Sequence, residues 1–223
     1  MPYIFMSLRI NDIAPNFPAA SSAGEINFHN FIGDSYVILF SHPKDFTPVC
    51  TTEFSAVARL VPEFKKRNTK AIGVSVDSVE EHVKWIKDIE AFGGSQVEFP
   101  ILDDTSLTIA KLYNMLPAEA YLPDGRTPKD SATVRTVFII GPDKKIRLSL
   151  TYPMSVGRNF AEILRALDAI QITDNAPLAT PADWLPGQDV IVGMALNDKD
   201  AEAKFGKLDI KLPYLRLAKA PKA

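Results

Sequence analysis

The residue with the clearest potential for chemistry is Cys50, the only cysteine in the chain. It lies in the segment Ser41–Glu53, which reads SHPKDFTPVCTTE. Thr47 is expected to be an N-cap, its hydroxyl accepting an amide N–H that a helix leaves free at its start. Pro48 suits the first helical position, where its missing N–H costs nothing. Cys50 is then the third helical residue, a place often held by a carboxylate in a capping box. A thiolate there faces the positive end of the helix dipole. The thiolate is the nucleophilic form, and helix starts with nearby cations favour it. The plainer reading, a small buried hydrophobe, is the common fate of a free cysteine. The cap sequence following an apolar strand weighs against it.

A cation is the second requirement, and Arg135 is the candidate. Strand alternation through Val134–Ile140 puts it on the same face as Val137 and Ile139. An arginine on an apolar face is costly unless paired. Two readings stay open: a salt-bridged arginine at a strand end, or a guanidinium that faces the thiolate from a neighbouring strand. A lone cysteine excludes a disulfide framework within the chain. It also excludes a thioredoxin-type disulfide reductase in its usual form, since Thr47 stands where Cys-x-x-Cys needs a second thiol. The three histidines, His29, His42 and His82, are scattered, so no structural zinc site is expected.

These residues need elements to position them. Tyr36–Phe40 and Ala71–Val76 are continuous apolar runs, as in strands buried on both faces. Between them Phe54, Val57, Ala58 and Val61 follow helical spacing, giving a βαβ unit. Pro62 should kink or restart that helix. A second helix spans Val79–Phe92 and stops at Gly93-Gly94. A short strand Phe99–Leu102, a helix near Leu107–Met115 and a Pro-rich loop Pro117–Lys129 come next. Val134–Ile140 and Ile146–Tyr152 flank the turn Gly141–Lys145 and form a hairpin. Phe160, Ile163, Leu164 and Leu167 mark a closing helix. The expected fold is α/β and thioredoxin-like: a mixed central sheet with helices on both faces over residues 7–172. A small C-terminal domain is expected over 173–223, with a strand at Asp189–Val192.

The 223 residues are 46% hydrophobic and 23% charged, with a formal net charge of -2. That composition suits a globular core and gives no field that would attract nucleic acid. No apolar run approaches the ~18 residues of a membrane span. Met1–Phe5 lacks a basic start and a long apolar stretch, so no secretory signal is expected, with Met6 an alternative start. A cytoplasmic location is the corresponding expectation.

Pro43-x-x-x-Thr47-x-x-Cys50 is similar to the signature of the peroxiredoxins. The wider segment Phe40–Glu53 resembles the one-cysteine, peroxiredoxin-6-type subgroup. So do Gly141–Lys145, Gly157–Phe160 with Glu162–Arg165, and Ala179–Trp184, in consistent order from about Leu8 onward. The resemblance implies a thiol peroxidase in which Cys50 attacks hydrogen peroxide and organic or lipid hydroperoxides, passing through a sulfenic acid. It implies that Thr47 and Arg135 bind the peroxide oxygens and that Pro43 shields the pocket. It further implies that Glu53 and Arg158 orient Arg135 or the loop, and that His42 stands beside the pocket. No cofactor is expected: no metal, haem or flavin. The implied partners are an external reductant (glutathione, ascorbate or a thioredoxin-type donor) and a second copy of the chain in a homodimer.

Two other functions compete with the peroxidase. A redox sensor or chaperone would use Cys50 oxidation as a signal, and turnover with a reductant discriminates against it. The resembling family has also been credited with phospholipase A2 activity through a Gly-x-Ser-x-Gly serine. Here Gly33–Val37 carries Ser35, but Val37 replaces the second glycine that a nucleophile elbow needs for its sharp turn. His29 and Asp143 stand at the other matching positions, in a surface segment and a hairpin turn.

Overall fold

The computed structural model describes residues 7–121 and 131–221. The chain divides into two compact units, Met1–Phe160 and Ala161–Ala223. The division falls before most of the closing helix, earlier than the composition change at Thr173.

The first unit opens with a two-stranded ribbon, β1 (Pro18–Ala19) and β2 (Ile26–Asn27), and a short helix α1 (Phe28–Ile32). Next come β3 (Tyr36–Ser41), α2 (Pro48–Lys66), β4 (Thr69–Ser75), α3 (Val79–Gly93), β5 (Ile101–Asp103), α4 (Thr108–Leu112), β6 (Arg135–Ile140) and β7 (Ile146–Tyr152). Five strands form one sheet in the order β5-β4-β3-β6-β7. β5, β4 and β3 run parallel, while β6 and β7 are antiparallel to their neighbours. This is the mixed sheet that the βαβ unit and hairpin implied. β1, β2 and α1 were not foreseen, because two-residue strands carry no period to read.

The two faces of the sheet separate by residue parity, as a pleated strand requires. Val37, Leu39, Ile72, Val74, Phe138 and Ile140 join Phe28, Ile32, Ile109 and Ala110 in one core. On the other face Phe40 meets Phe54 of α2, with ring centroids 5.0 Å apart. Phe54 in turn meets Trp85 of α3 at 4.8 Å. Arg135 shares the parity of Val137 and Ile139, so β6 presents it toward α2.

Helix α2 runs on through Pro62 to Lys66 and does not restart there. Pro62 is exposed, whereas Val61 and Phe64 beside it are buried. Packing of that face therefore outweighs the one hydrogen bond that proline removes. Helix α3 begins on a full Ser78–Glu81 capping box and ends on Gly94 in the left-handed region (φ 67°). The expected strand at Phe99 begins at Ile101. The helix expected at Leu107–Met115 narrows to Thr108–Leu112, with Leu107 itself at φ 60°. Of the expected loop Pro117–Lys129, Ala118–Tyr121 form a 3-10 turn; Leu122–Lys129 lie outside the described residues.

The second unit contains α5 (Phe160–Asn175, with Phe160 closing the first unit), β8 (Leu178–Ala179), β9 (Val190–Val192), α6 (Asp198–Phe205), β10 (Asp209–Leu212) and β11 (Leu215–Ala218). Its four strands pair antiparallel in the order β10-β11-β9-β8. Trp184, Val190, Val192, Ala201 and Ala218 form its core, with Ala169 and Ile172 of α5 packed against them. Of these strands the sequence pattern anticipates only β9. No helix among the described residues is long and apolar enough to cross a membrane.

Gly73 lets α2 approach β4 closely. A Cβ at this position would stand 2.8 Å from Phe54 Cζ. Gly73→Ala is expected to destabilise the protein by about 1–3 kcal/mol through overpacking. Urea unfolding measures this, and an unchanged midpoint would mean that the ring yields freely.

Candidate active site

Cys50 occupies the third position of α2, as the cap sequence implied, and is fully buried. Thr47 is the N-cap residue by position, but its side chain caps nothing. Its hydroxyl instead donates to the Lys44 carbonyl at 2.9 Å. This corrects the expected cap. The first bond of the helix runs from Thr51 N–H to the Thr47 carbonyl. The Val49 and Cys50 amides therefore lie among the unpaired donors that every helix start carries, beside the sulfur.

The arginine question is decided by distance. Arg135 Nη1 lies 3.3 Å from Cys50 Sγ and donates to Glu53 Oε2 at 2.7 Å. Its Nε donates to the Met154 carbonyl at 2.8 Å. Both readings of Arg135 therefore hold at once: it is salt-bridged, and it faces the sulfur. Glu53 lies one position short of a full turn after Cys50 and is itself buried. Its Oε2 also accepts from Arg158 Nη2 at 2.7 Å, and its Oε1 accepts from Arg158 Nε at 2.9 Å and Arg158 N at 2.8 Å. Arg158 Nη1 reaches the Ser41 and Thr136 carbonyls, at 2.8 and 3.1 Å. The guanidinium of Arg158 also lies 5.3 Å from the Phe40 ring. Burial pushes the Glu53 carboxyl up, but the hydrogen bonds and charge of Arg158, with the charge of Arg135, hold it below the usual carboxylate range.

The loop between β3 and α2 is anchored from beneath. Pro43 is buried, and so are His42 and Asp45. His42 bonds Asp45 through Nε2 at 2.7 Å and stacks on Trp85 with centroids 5.0 Å apart. Sequence reasoning does not single out Asp45, Asp77 or Ser41. Nothing in their local pattern distinguishes them from loop and strand-end residues, and only the fold brings their partners together.

The segment 10–149 matches the model of the AhpC/TSA family, and 169–207 matches the C-terminal domain of 1-Cys peroxiredoxin. The chain belongs to the peroxiredoxins. It is 51% identical to peroxiredoxin PRX1, mitochondrial, of Saccharomyces cerevisiae over 96% of this chain and 81% of that one. It is 48% identical to peroxiredoxin-6 of Mus musculus over 96% and 98% of the two chains. A crystal structure of a peroxiredoxin 6 mutant from Arenicola marina superposes with a TM-score of 0.89 at 40% identity, covering 97% of this chain and 100% of that one. A yeast mitochondrial 1-Cys peroxiredoxin, solved to explain thiol resolution through the glutathione and thioredoxin systems, gives 0.84 at 50% identity over 95% and 99% of the two chains. Peroxiredoxins are thiol peroxidases, and this one is an oxidoreductase with a single cysteine to work with.

The three residues of the lipase reading have separate partners. Ser35 Oγ donates to Asn68 Oδ1 at 3.0 Å. His29 Nε2 bonds the Ala14 carbonyl at 2.7 Å. Asp143 accepts from Arg147 at 3.0 Å. Ser35 lies just before β3, and the chain continues there into a buried strand without a glycine elbow.

Glu53 gives the sharpest test of this peroxiredoxin site. Glu53→Gln leaves two buried guanidiniums without their counter-charge and is expected to cost about 3–5 kcal/mol. The pH dependence comes from the depressed carboxyl. Its stabilisation is complete above the ordinary glutamate value and is lost as pH falls through the lower folded value. Acid unfolding of the wild type should therefore include a component that the Gln variant lacks. Identical acid limbs would remove Glu53 as the charge that holds the site.

Proposed function

We propose that Cys50 is the peroxidatic nucleophile and that Arg135, Thr47 and the start of α2 form its peroxide site. The observation that carries this reading is a guanidinium nitrogen 3.3 Å from a buried sulfur at a helix start without a side-chain cap. The thiolate attacks the terminal oxygen of a hydroperoxide. The S–O bond forms as the O–O bond breaks, and the departing alkoxide takes up a proton to leave as an alcohol, or as water from hydrogen peroxide. Cys50 becomes a sulfenic acid, the first rung of thiol oxidation. Charge builds on the departing oxygen, so fixed donors aimed at it lower the barrier. The Val49 and Cys50 amides and the Arg135 Nη2 group, which has no partner among the described residues, are those donors. Thr47 takes part as an acceptor. Its proton is committed to Lys44, so its oxygen accepts a hydrogen bond from the peroxide O–H. Glu53 and Arg158 orient Arg135, and Pro43 shields the sulfur.

With no second cysteine in the chain, reduction of the sulfenic acid falls to an external donor. Glutathione or a thioredoxin-type protein is the first choice, by analogy with the systems named for the yeast relative; ascorbate is the alternative. We place all this chemistry in a peroxidase domain of residues 7–172, and the compact unit ending at Phe160 already contains every named group. A homodimer completes the reading, supported by the family resemblance and testable by sedimentation. A cytoplasmic location fits a thiol that depends on reducing partners. The mitochondrial relative names a second such compartment, and cell fractionation separates the two.

Cys50→Ser should abolish peroxide consumption while the fold persists, because Ser is close in size and suits a helix start. Appreciable turnover in that variant would sink the assignment. Arg135→Ala should slow oxidation by roughly 100-fold or more, the scale on which losing a preorganised donor acts. After one equivalent of peroxide, intact mass should show one added oxygen per chain, and a non-reducing gel should show monomer. Quantitative conversion to a Cys50-linked dimer would mean that the chain supplies its own resolving thiol.

A further inference from the structure

Beneath the peroxide loop lies a closed polar cluster that the peroxide chemistry does not use. Its centre is Asp45, whose Oδ1 bonds His42 Nε2 at 2.7 Å and whose Oδ2 bonds His82 Nδ1 at 2.6 Å. The Asp45 N–H donates to Asp77 Oδ2 at 2.8 Å, and the same oxygen accepts from Ser75 Oγ at 2.8 Å. His82 comes from α3, and its side chain is 0% exposed.

The protonation of His82 is set by its partners. Nδ1 faces a carboxylate oxygen, and Nε2 faces the Leu102 carbonyl at 3.1 Å. Both partners are acceptors, so both ring nitrogens must carry a proton. A neutral ring would leave one of these buried contacts without its hydrogen. His42 differs. Its Nε2–H is given to Asp45, and its Nδ1 has no partner, which is the pattern of a neutral ring. The charged groups around His82 all favour the imidazolium. Asp45 faces it from the loop after β3 and Asp77 from the loop after β4, and Asp103 of β5 accepts the Val79 N–H at the start of α3. His42, itself cation-capable, has its ring centroid 6.3 Å away. Burial opposes the charge on His82, but Asp45, the Leu102 carbonyl and Asp77 together raise it above the ordinary histidine value. Burial lowers His42 despite Asp45.

Asp45 leads directly into the peroxide site. Phe46, next to it, is held at φ 55° with half its surface exposed, a left-handed conformation that costs energy for an aromatic residue. Thr47 comes next, and its hydroxyl is tied back to Lys44. The strained residue is thus clamped between a pinned aspartate and the residue that meets the peroxide.

We infer that His82, acting through Asp45, is a positioning residue for the peroxide step: a buried imidazolium that pins the loop Pro43–Thr47, so that loss of its proton slows oxidation of Cys50 without changing the sulfur. This rests on the reading of Cys50 as the peroxidatic residue. The sign is fixed by the raised histidine. Pinning is complete below the ordinary histidine value and is weakened as pH rises through the higher folded value, where the ring keeps one N–H but loses its charge toward Asp45.

The test combines nitrogen NMR of the His82 ring with stopped-flow oxidation by hydrogen peroxide from weakly acidic to alkaline pH. Alkylation of Cys50 by iodoacetamide, which does not need the peroxide donors, serves as the control. In the wild type both His82 ring nitrogens should be protonated at neutral pH, and the oxidation rate should fall as they titrate. His82→Leu should slow oxidation by roughly 10- to 100-fold, the scale of an ångström-sized misplacement, with alkylation undiminished. His82→Asn keeps an N–H for Asp45, so it should fold and recover part of the rate without the alkaline fall. The inference is overturned by a neutral His82 ring at neutral pH, by an alkaline fall that persists in His82→Asn, or by oxidation and alkylation declining together. Should His82→Leu fail to fold, the wild-type NMR and His82→Asn still decide. Failure of the parent reading looks different: peroxide would then be consumed by Cys50→Ser.

Discussion

The site depends on one buried carboxylate held between two buried guanidiniums. Glu53 Oε2 accepts from both Arg135 and Arg158, and its Oε1 accepts from Arg158 alone. Either arginine without this charge would be an uncompensated cation in the interior, which costs far more than a surface pair contributes. The arrangement ties three separate pieces of chain together: helix α2 through Glu53, strand β6 through Arg135, and the segment after β7 through Arg158. Arg158 then bonds the carbonyls of Ser41 and Thr136, so the ends of β3 and β6 are drawn into the same knot. A sulfur about one turn from Glu53 on α2 is thereby placed against Arg135 with little freedom to move away.

The second constraint is the unfilled start of α2. A helix N-terminus is an anion site when its amides are left unpaired and its dipole unopposed. A capping hydroxyl would have taken one of those amides. Instead Thr47 turns its proton to Lys44, and the helix start carries no side-chain cap. The helix forgoes a side-chain cap, and the loss is small because Phe54, Val57, Ala58, Val61 and Phe64 bury one face of it. The same packing carries the helix past Pro62.

The loop between β3 and α2 carries Phe46 in the left-handed region and is bonded through Asp45 to the polar cluster behind it. Helix α3, with no residue in the site itself, supplies both Trp85, whose indole N–H reaches Thr51 Oγ1 at 3.1 Å, and His82. Aromatic contacts run from Phe40 through Phe54 to Trp85 and join β3, α2 and α3.

Much of this was legible in the linear chain. Apolar runs fixed β3 and β4, the hairpin came from its turn residues, and the helical spacing after Pro48 placed Cys50 at a helix start, because hydrophobic periods and turn chemistry are local properties. Strand parity also showed on which face of β6 Arg135 stands. The sequence could not say whether that arginine was paired with a carboxylate or with the sulfur. Only the folded sheet, by setting β6 beside β3 and α2 across it, made both true. Asp45 and His82 lie 37 positions apart and are unremarked in any local pattern; their proton is held by geometry alone. The hydroxyl of Thr47 shows the same limit at short range. A threonine at a cap position can donate or accept, and its choice rests on where the Lys44 carbonyl points, which is decided by tertiary contacts that no window of residues contains.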